Sequence, residues 1–306
     1  MMPIMQNKRP NTPPPPPPPE QVVSAALNEQ GFLLQHKLAT VLLAHEKKVK
    51  TQHKWQVEAA EVPVSLANGD ETRIDLVLRH GPQSGMPVRA LIECKRAARD
   101  YKRWIFFAQN EVAHNPSPNS YYTERAHLQS SWRSGDEPDI SHTIDTKAAS
   151  PECPVFDFGV EARLNSPEKE RRVSATDAIE DAFQQVTLGQ AGLGVTLRKA
   201  HVTNFINLPV VATTAELVSA HFDARHVSLD RGMIDPKHVK IEPRRWLAVN
   251  FRISQTISLS VPMGLHNKIG LAGELVMRQV RTVFVVQADH VHEFLVWLET
   301  TFAPGT

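Results

Sequence analysis

Two segments decide how this chain is read: Thr72-Arg-Ile-Asp-Leu-Val-Leu-Arg79 and Val88-Arg-Ala-Leu-Ile-Glu-Cys-Lys95. Both are strand-like, and Gly81, Pro82, Gly85 and Pro87 between them supply turn chemistry. An antiparallel hairpin centred on Ser84 sets Arg79 across from Arg89, Val77 from Leu91 and Asp75 from Glu93. Side chains alternate along a strand, so Asp75, Glu93 and Lys95 are expected on one face. Directly opposed residues hold their Cβ atoms about 5 Å apart, a range at which two carboxylates can grip one hard divalent cation. The other face is expected to carry Ile74, Leu76, Leu78, Ala90, Ile92 and Cys94, all apolar, as in central buried strands. Two like charges opposed on such a hairpin repel each other, and Lys95 offsets only part of that. Mg2+ favours one or two carboxylates together with water and phosphate, and would offset the rest.

An acid two residues before a lysine is a common pattern. The chain repeats it at Glu46 and Lys48, Asp100 and Lys102, Asp145 and Lys147, and Asp235 and Lys237. None of these lies on an apolar strand behind a second strand that carries an aspartate.

Outward from the hairpin, residues 22–44 read as helical, with Leu34, Leu38, Val41, Leu42 and His45 on one face. Gly31 interrupts that segment, and Asn28 suits the cap of its second half. A strand over 55–66 follows, with Asn68, Gly69 and Asp70 as its turn. Residues 99–172 are broken by Pro116, Pro118, Pro138, Pro151, Pro154 and Pro167, with short strands expected at 104–107 and 155–160. A helix is expected over 176–189, its stripe being Ile179, Ala182, Phe183 and Val186 and its stop Gly189. Strands are then expected at 208–213, 246–251, 256–261 and 281–286, and a last helix at 290–302. The unbroken prolines from Pro13 to Pro19 favour an extended polyproline rod. The resulting division is a tail over 1–20 and a single domain over 21–306. Its core would be about 21–98 and 173–213, with an insertion at about 99–172 and a C-terminal extension at about 214–306.

Composition narrows the class. The 306 residues are 41% hydrophobic and 22% charged, which allows a sizeable core. Lys plus Arg and Asp plus Glu nearly cancel to a net charge of +1, which excludes a histone-like partner of polyanions but not a locally basic groove. Two cysteines, Cys94 and Cys153, cannot make a disulfide framework or a four-cysteine zinc site, so a reducing cytoplasm is expected. The first ten residues lack the apolar stretch of a signal peptide, and no stretch approaches the roughly 18 apolar residues of a membrane span. His114, His127, His142, His201, His221, His226, His290 and His292 form no set at metal-ligand spacing.

The order of helix, strand, Asp75-bearing strand, strand carrying Glu93 and Lys95, helix and strand resembles the PD-(D/E)XK nucleases. This superfamily is also called restriction-endonuclease-like, and the likeness covers about residues 21–213. It implies a mixed α/β fold, an αβββαβ core around a central mixed sheet, elaborated by the insertion and by a C-terminal β/α extension. It also implies Mg2+, with Mn2+ as a substitute, held by Asp75, Glu93 and the Cys94 carbonyl. In that family the lysine, here Lys95, supports the attacking water, and a first-helix glutamate, here Glu29, often completes the site. Glu29 equally suits a first-turn acid at a helix N-terminus. Ile74 stands where the family's name has a proline. A glutamine on the helix after the third strand is a further family feature. Gln184 falls with Glu180, Asp181 and Thr187 on the polar face, whereas Gln185 aligns with Ala178 and Ala182 beside the apolar stripe, so Gln185 is preferred.

The implied reaction is phosphodiester hydrolysis by a DNA endonuclease. An RNA or structure-specific nuclease, or a catalytically silent nucleic-acid-binding module of the same fold, are the alternatives. Arg96, Arg99, Lys102 and Arg103, interleaved with Tyr101 and Trp104, suit phosphate contacts with base stacking. By the same likeness, a solitary domain of this kind fits prokaryotic defence against phage, as a homodimer or beside a partner protein.

Overall fold

The structure, a computed structural model, describes residues 32–48, 55–66, 69–81, 87–97, 103–108, 119–128, 140–162, 177–200, 205–253 and 279–303, with isolated positions 18, 20, 23, 24 and 202. Helix α1 (Phe32–Lys48) leads into three antiparallel strands, β1 (Trp55–Ser65), β2 (Glu71–His80) and β3 (Val88–Lys95). Gly69 takes φ +90° in the first connection, a conformation open to glycine at little cost. Strands β4 (Arg103–Phe107), β5 (Ser120–Leu128), β6 (Ile140–Ala148), β7 (Val155–Phe156) and β8 (Phe158–Ala162) come next. Helix α2 (Asp177–Lys199) returns the chain to β9 (Phe205–Thr213), which lies beside β3 and parallel to it. The rest comprises β10 (Glu216–His221), β11 (Lys240–Arg244), β12 (Trp246–Arg252), β13 (Val280–Gln287) and helix α3 (Val291–Phe302).

The fold is mixed α/β. Its central mixed sheet runs β1-β2-β3-β9-β13-β12-β7, and β5 adds to it by pairing with the start of β9, beyond which β6 pairs with β5. All nine residues of β9 are buried, as a strand covered on both faces requires. The segment expected to be an insertion therefore lends strands to the main sheet. A second sheet, ordered β11-β10-β4-β8, was not expected from the sequence.

Each face of the central sheet has its own apolar layer. On one side Leu38 of α1 and Phe294, Leu295, Trp297, Leu298 and Phe302 of α3 cover Leu76, Leu78, Ala90 and Ile92. Tyr121 and Phe284 pack into this layer with ring centroids 5.4 Å apart, and Trp55 Nε1 donates to the Leu295 carbonyl at 2.9 Å, tying β1 to α3. On the other side Ile179, Ala182, Phe183 and Val186 of α2 meet Val77, Leu91 and Val211, joined by Trp104 and Phe106 of the small sheet. Each large aliphatic side chain fully buried in these layers contributes about 1.5–3 kcal/mol.

Two sequence expectations are corrected here. Helix α2 does not stop at Gly189 but continues for ten residues to Lys199. Gly189 and Gly192 serve close packing: a Cβ on Gly189 would lie 2.7 Å from Ile74 Cγ1, and one on Gly192 2.8 Å from Val64 Cγ2. Ile74 does not face α1 with Leu76; it packs in the α2 layer with Val77 and Leu91, where a Cβ on Gly189 would meet it. The apolar stripe of α1 is also less sheltered than its spacing suggests, since Leu38 is buried while Val41 is exposed. The expected strand at 256–261 lies outside the described residues.

Candidate active site

The β2–β3 register is the one read from the hairpin, with Arg79 opposite Arg89, Val77 opposite Leu91 and Leu76 opposite Ile92. The paired stretch ends there, one position before Asp75 and Glu93. At that point the Cys94 N–H turns to the Asp75 carboxylate, donating to Oδ2 at 2.8 Å. Cys94 thus enters the site through its backbone, while its thiol is buried in the α1/α3 layer. The N–H and C=O of one strand residue project to the same strand edge, so the Cys94 carbonyl faces this gap as well. Lys95 alternates with it: its carbonyl accepts from Thr214 N on the β9 side at 3.2 Å.

Asp75 and Glu93 are both buried, at 7% and 3% exposure. Lys95 Nζ lies 3.1 Å from Glu93 Oε1 and donates to Gln185 Oε1, also at 3.1 Å. Helix α2 therefore delivers Gln185 to the lysine, while Gln184, one residue earlier, is exposed. Thr187, expected on the polar face with Gln184, is instead buried and back-bonded to the Phe183 carbonyl. The second oxygen of Glu93, Oε2, is buried with no hydrogen-bond partner among the described residues.

The electrostatics follow from this placement. Burial, then the neighbouring Asp75 charge, pushes Glu93 up to about 7, with Lys95 and Arg73 opposing. Asp75 is also raised, chiefly by burial and further by Glu61, while the Cys94 N–H, Arg73 and Lys95 pull it down. The Cys94 thiol is held well above its ordinary range, by burial first and then by the two carboxylates, so it stays protonated. Two neighbouring buried carboxyls are thus both raised, and a small cation beside them would favour their charged forms.

Sequence reasoning missed Glu61 and Gln35. Gln35 Nε2, from α1, donates to Glu61 Oε1 at 2.5 Å and to the Asp75 carbonyl at 3.0 Å. Arg73 holds the other Glu61 oxygen at 2.7 Å. Glu61 adopts φ +54°, left-handed for a non-glycine residue, a strain of about 1–3 kcal/mol that persists only where surroundings enforce it. The one advance signal for Gln35 was its position one residue after Leu34 on the first helix.

Among the described residues, no three Asp, Glu, His or Cys side chains already converge to hold a metal ion. Glu29, Arg99 and Lys102 lie outside the described residues. Arg96 is exposed directly after the lysine. Arg103, on β4, donates from Nε and Nη2 to Glu216 Oε2 at 2.9 and 2.7 Å in an exposed ion pair. The other acid-x-lysine pattern with fully described side chains near a turn, Asp235 and Lys237, closes on itself as an exposed ion pair of 2.9 Å. No helix among the described residues is long and apolar enough to cross a membrane. In comparisons with known proteins the chain matches no family model, no curated protein and no solved structure.

Proposed function

We propose that this chain is a Mg2+-dependent nuclease, most simply a DNA endonuclease, built on a restriction-endonuclease-like core of α1, β1, β2, β3, α2 and β9. The reading is carried by one observation. Two buried carboxylates on adjacent strands lie by a lysine that bonds both Glu93 and Gln185, and one Glu93 oxygen has no partner among the described residues. A buried anionic pair without such a role would be a standing cost to the fold.

The donor set suits a hard cation: carboxylate oxygens of Asp75 and Glu93 and the Cys94 carbonyl, with neither imidazole nor thiolate. When bound, Mg2+ supplies Lewis-acid polarisation of a phosphate oxygen and acidifies its water. Asp75, whose Oδ2 accepts from the Cys94 N–H, and Glu93, whose Oε1 pairs with Lys95, would hold the ion. Lys95 orients the attacking water and stabilises charge developing on the phosphate, an electrostatic task favoured by a partly dry site. Gln185 positions the lysine. Arg96, exposed beside the site, serves the phosphate backbone.

The test is incubation of purified protein with plasmid, single-stranded DNA and RNA, each with Mg2+, Mn2+ or EDTA. Cleavage of plasmid that needs the metal and is lost in Lys95→Ala is the expected result. The Lys95 side chain is partly exposed and among the described residues bonds Glu93 and Gln185 alone, so the variant should keep its fold and its nucleic-acid binding. Undiminished cleavage by Lys95→Ala would remove the assignment, and cleavage of RNA alone would redirect the substrate class.

A further inference from the structure

We propose that Glu61 is a third carboxylate of the cation site, and that the Arg73 guanidinium holds its place until a divalent cation arrives. This rests on reading Asp75 and Glu93 as a metal centre, and it adds a ligand from β1 and an exchange to that centre.

Position comes first. Ala60 pairs with Leu76 and Val62 with Ile74, which brackets Glu61 opposite Asp75. The β2–β3 register brings Glu93 toward Asp75 from the other side. Asp75 is thus the middle member of three acids on three adjacent strands. The chain bends to put Glu61 there: its φ of +54° is left-handed, and Gln35 bonds both its carboxylate and the Asp75 carbonyl. One side chain of α1 therefore bridges the Glu61 carboxylate and the Asp75 backbone.

An independent observation points to a ligand. Among the described residues Glu93 Oε2 is buried and without a hydrogen-bond partner, although Lys95 holds the other oxygen of the same group. A buried carboxylate oxygen without a partner, on the strand next to a second buried carboxyl, is one that a cation would satisfy.

Arg73 then explains why the three acids do not already converge. Its Nη1 holds Glu61 Oε2 at 2.7 Å, with 59% of the Arg73 side chain and 43% of the Glu61 side chain exposed. An ion pair so open to water is weakly held, and the long arginine side chain can leave to solvent without disturbing the core. A divalent ion entering beside Asp75 replaces one diffuse positive charge with two concentrated ones, and Glu61 turns from the guanidinium to the ion.

The experiment is a Mn2+ titration of the full chain, followed by the electron paramagnetic resonance signal of free Mn2+. It uses wild type, Glu61→Gln, Arg73→Gln and the double variant, in about 0.5 M KCl, where screening acts over about 4 Å. Circular dichroism melts show whether each variant folds. Expected are a loss of at least fivefold in Mn2+ affinity for Glu61→Gln and a gain for Arg73→Gln. The gain should disappear in the double variant, because the arginine competes through Glu61. A smaller loss for Glu61→Gln, or an Arg73→Gln gain that survives in the double variant, overturns the proposal while leaving Asp75 and Glu93 as the centre. Wild-type protein that takes up no Mn2+ overturns the metal centre as a whole.

Discussion

Replacing Glu93 by glutamine tests the fold and the site together, because the same carboxyl strains the one and serves the other. Burial and the Asp75 charge raise Glu93 from its ordinary value of 4.5 to about 7. A carboxyl raised by folding binds its proton more tightly in the native state. Between pH 4.5 and 7 the native protein therefore holds more protons than the unfolded chain, and stability falls as pH rises through that window. At about 1.4 kcal/mol per pH unit, the interval amounts to about 3 kcal/mol lost once Glu93 is ionised. Glutamine keeps the shape without the charge. Glu93→Gln should match wild type at pH 4 and exceed it by about 2–3 kcal/mol at pH 8. Urea unfolding at one-unit steps from pH 4 to 8, with a shared slope, reads this directly. Mg2+ at one hundred times Kd should then bring the two proteins about level at pH 8. Wild type gains about 2.7 kcal/mol at one hundred times Kd, and the variant gains little. A difference between the two proteins that stays flat across pH, or a variant less stable than wild type at pH 8, would refute the reasoning.

Further expectations concern the supporting residues. Gln185→Ala removes one of two partners of Lys95 Nζ and should lower kcat by about 10- to 100-fold with KM for nucleic acid nearly unchanged; steady-state kinetics showing a KM effect alone would count against it. Gly192→Ala drives a Cβ to 2.8 Å from Val64 Cγ2. The overpacking costs about 1–3 kcal/mol, offset by about 1 kcal/mol of helix propensity, so calorimetry should show a lower Tm, and a higher one would mean that α2 does not press on β1. Arg96→Ala should flatten the slope of log affinity against log salt by about 0.9, whereas Arg103→Ala, already committed to Glu216, should leave the slope unchanged; equal effects would dissolve the distinction.

The central hairpin could be read in advance because period-two alternation and one glycine- and proline-rich connection leave one sensible register. Gln185 was readable for a similar reason, since a helix stripe fixes which neighbours share its edge. Glu61 was not. Its place depends on a shift between Val57 and Ala59 and on a left-handed backbone at a residue type that gives no such warning. Gly189 misled because a glycine near a helix end and a glycine pressed against a strand look alike until the partner, Ile74, is known. The small sheet escaped notice because β11 is largely exposed, with no alternation to betray it, and β4 is only five residues long.

The chain's exit from β3 is stapled to the junction of β9 and β10. Thr214 N donates to the Lys95 carbonyl at 3.2 Å, and its Oγ1 accepts from Ala97 N at 2.9 Å. Arg103 then grips Glu216 at the mouths of β4 and β10, which run parallel. Two neighbouring strands thus leave the large sheet for the small one at the same level, immediately beyond the lysine. Thr214 is thus the point at which the small sheet and the lysine's own backbone share hydrogen bonds, so that loosening this one residue would loosen both.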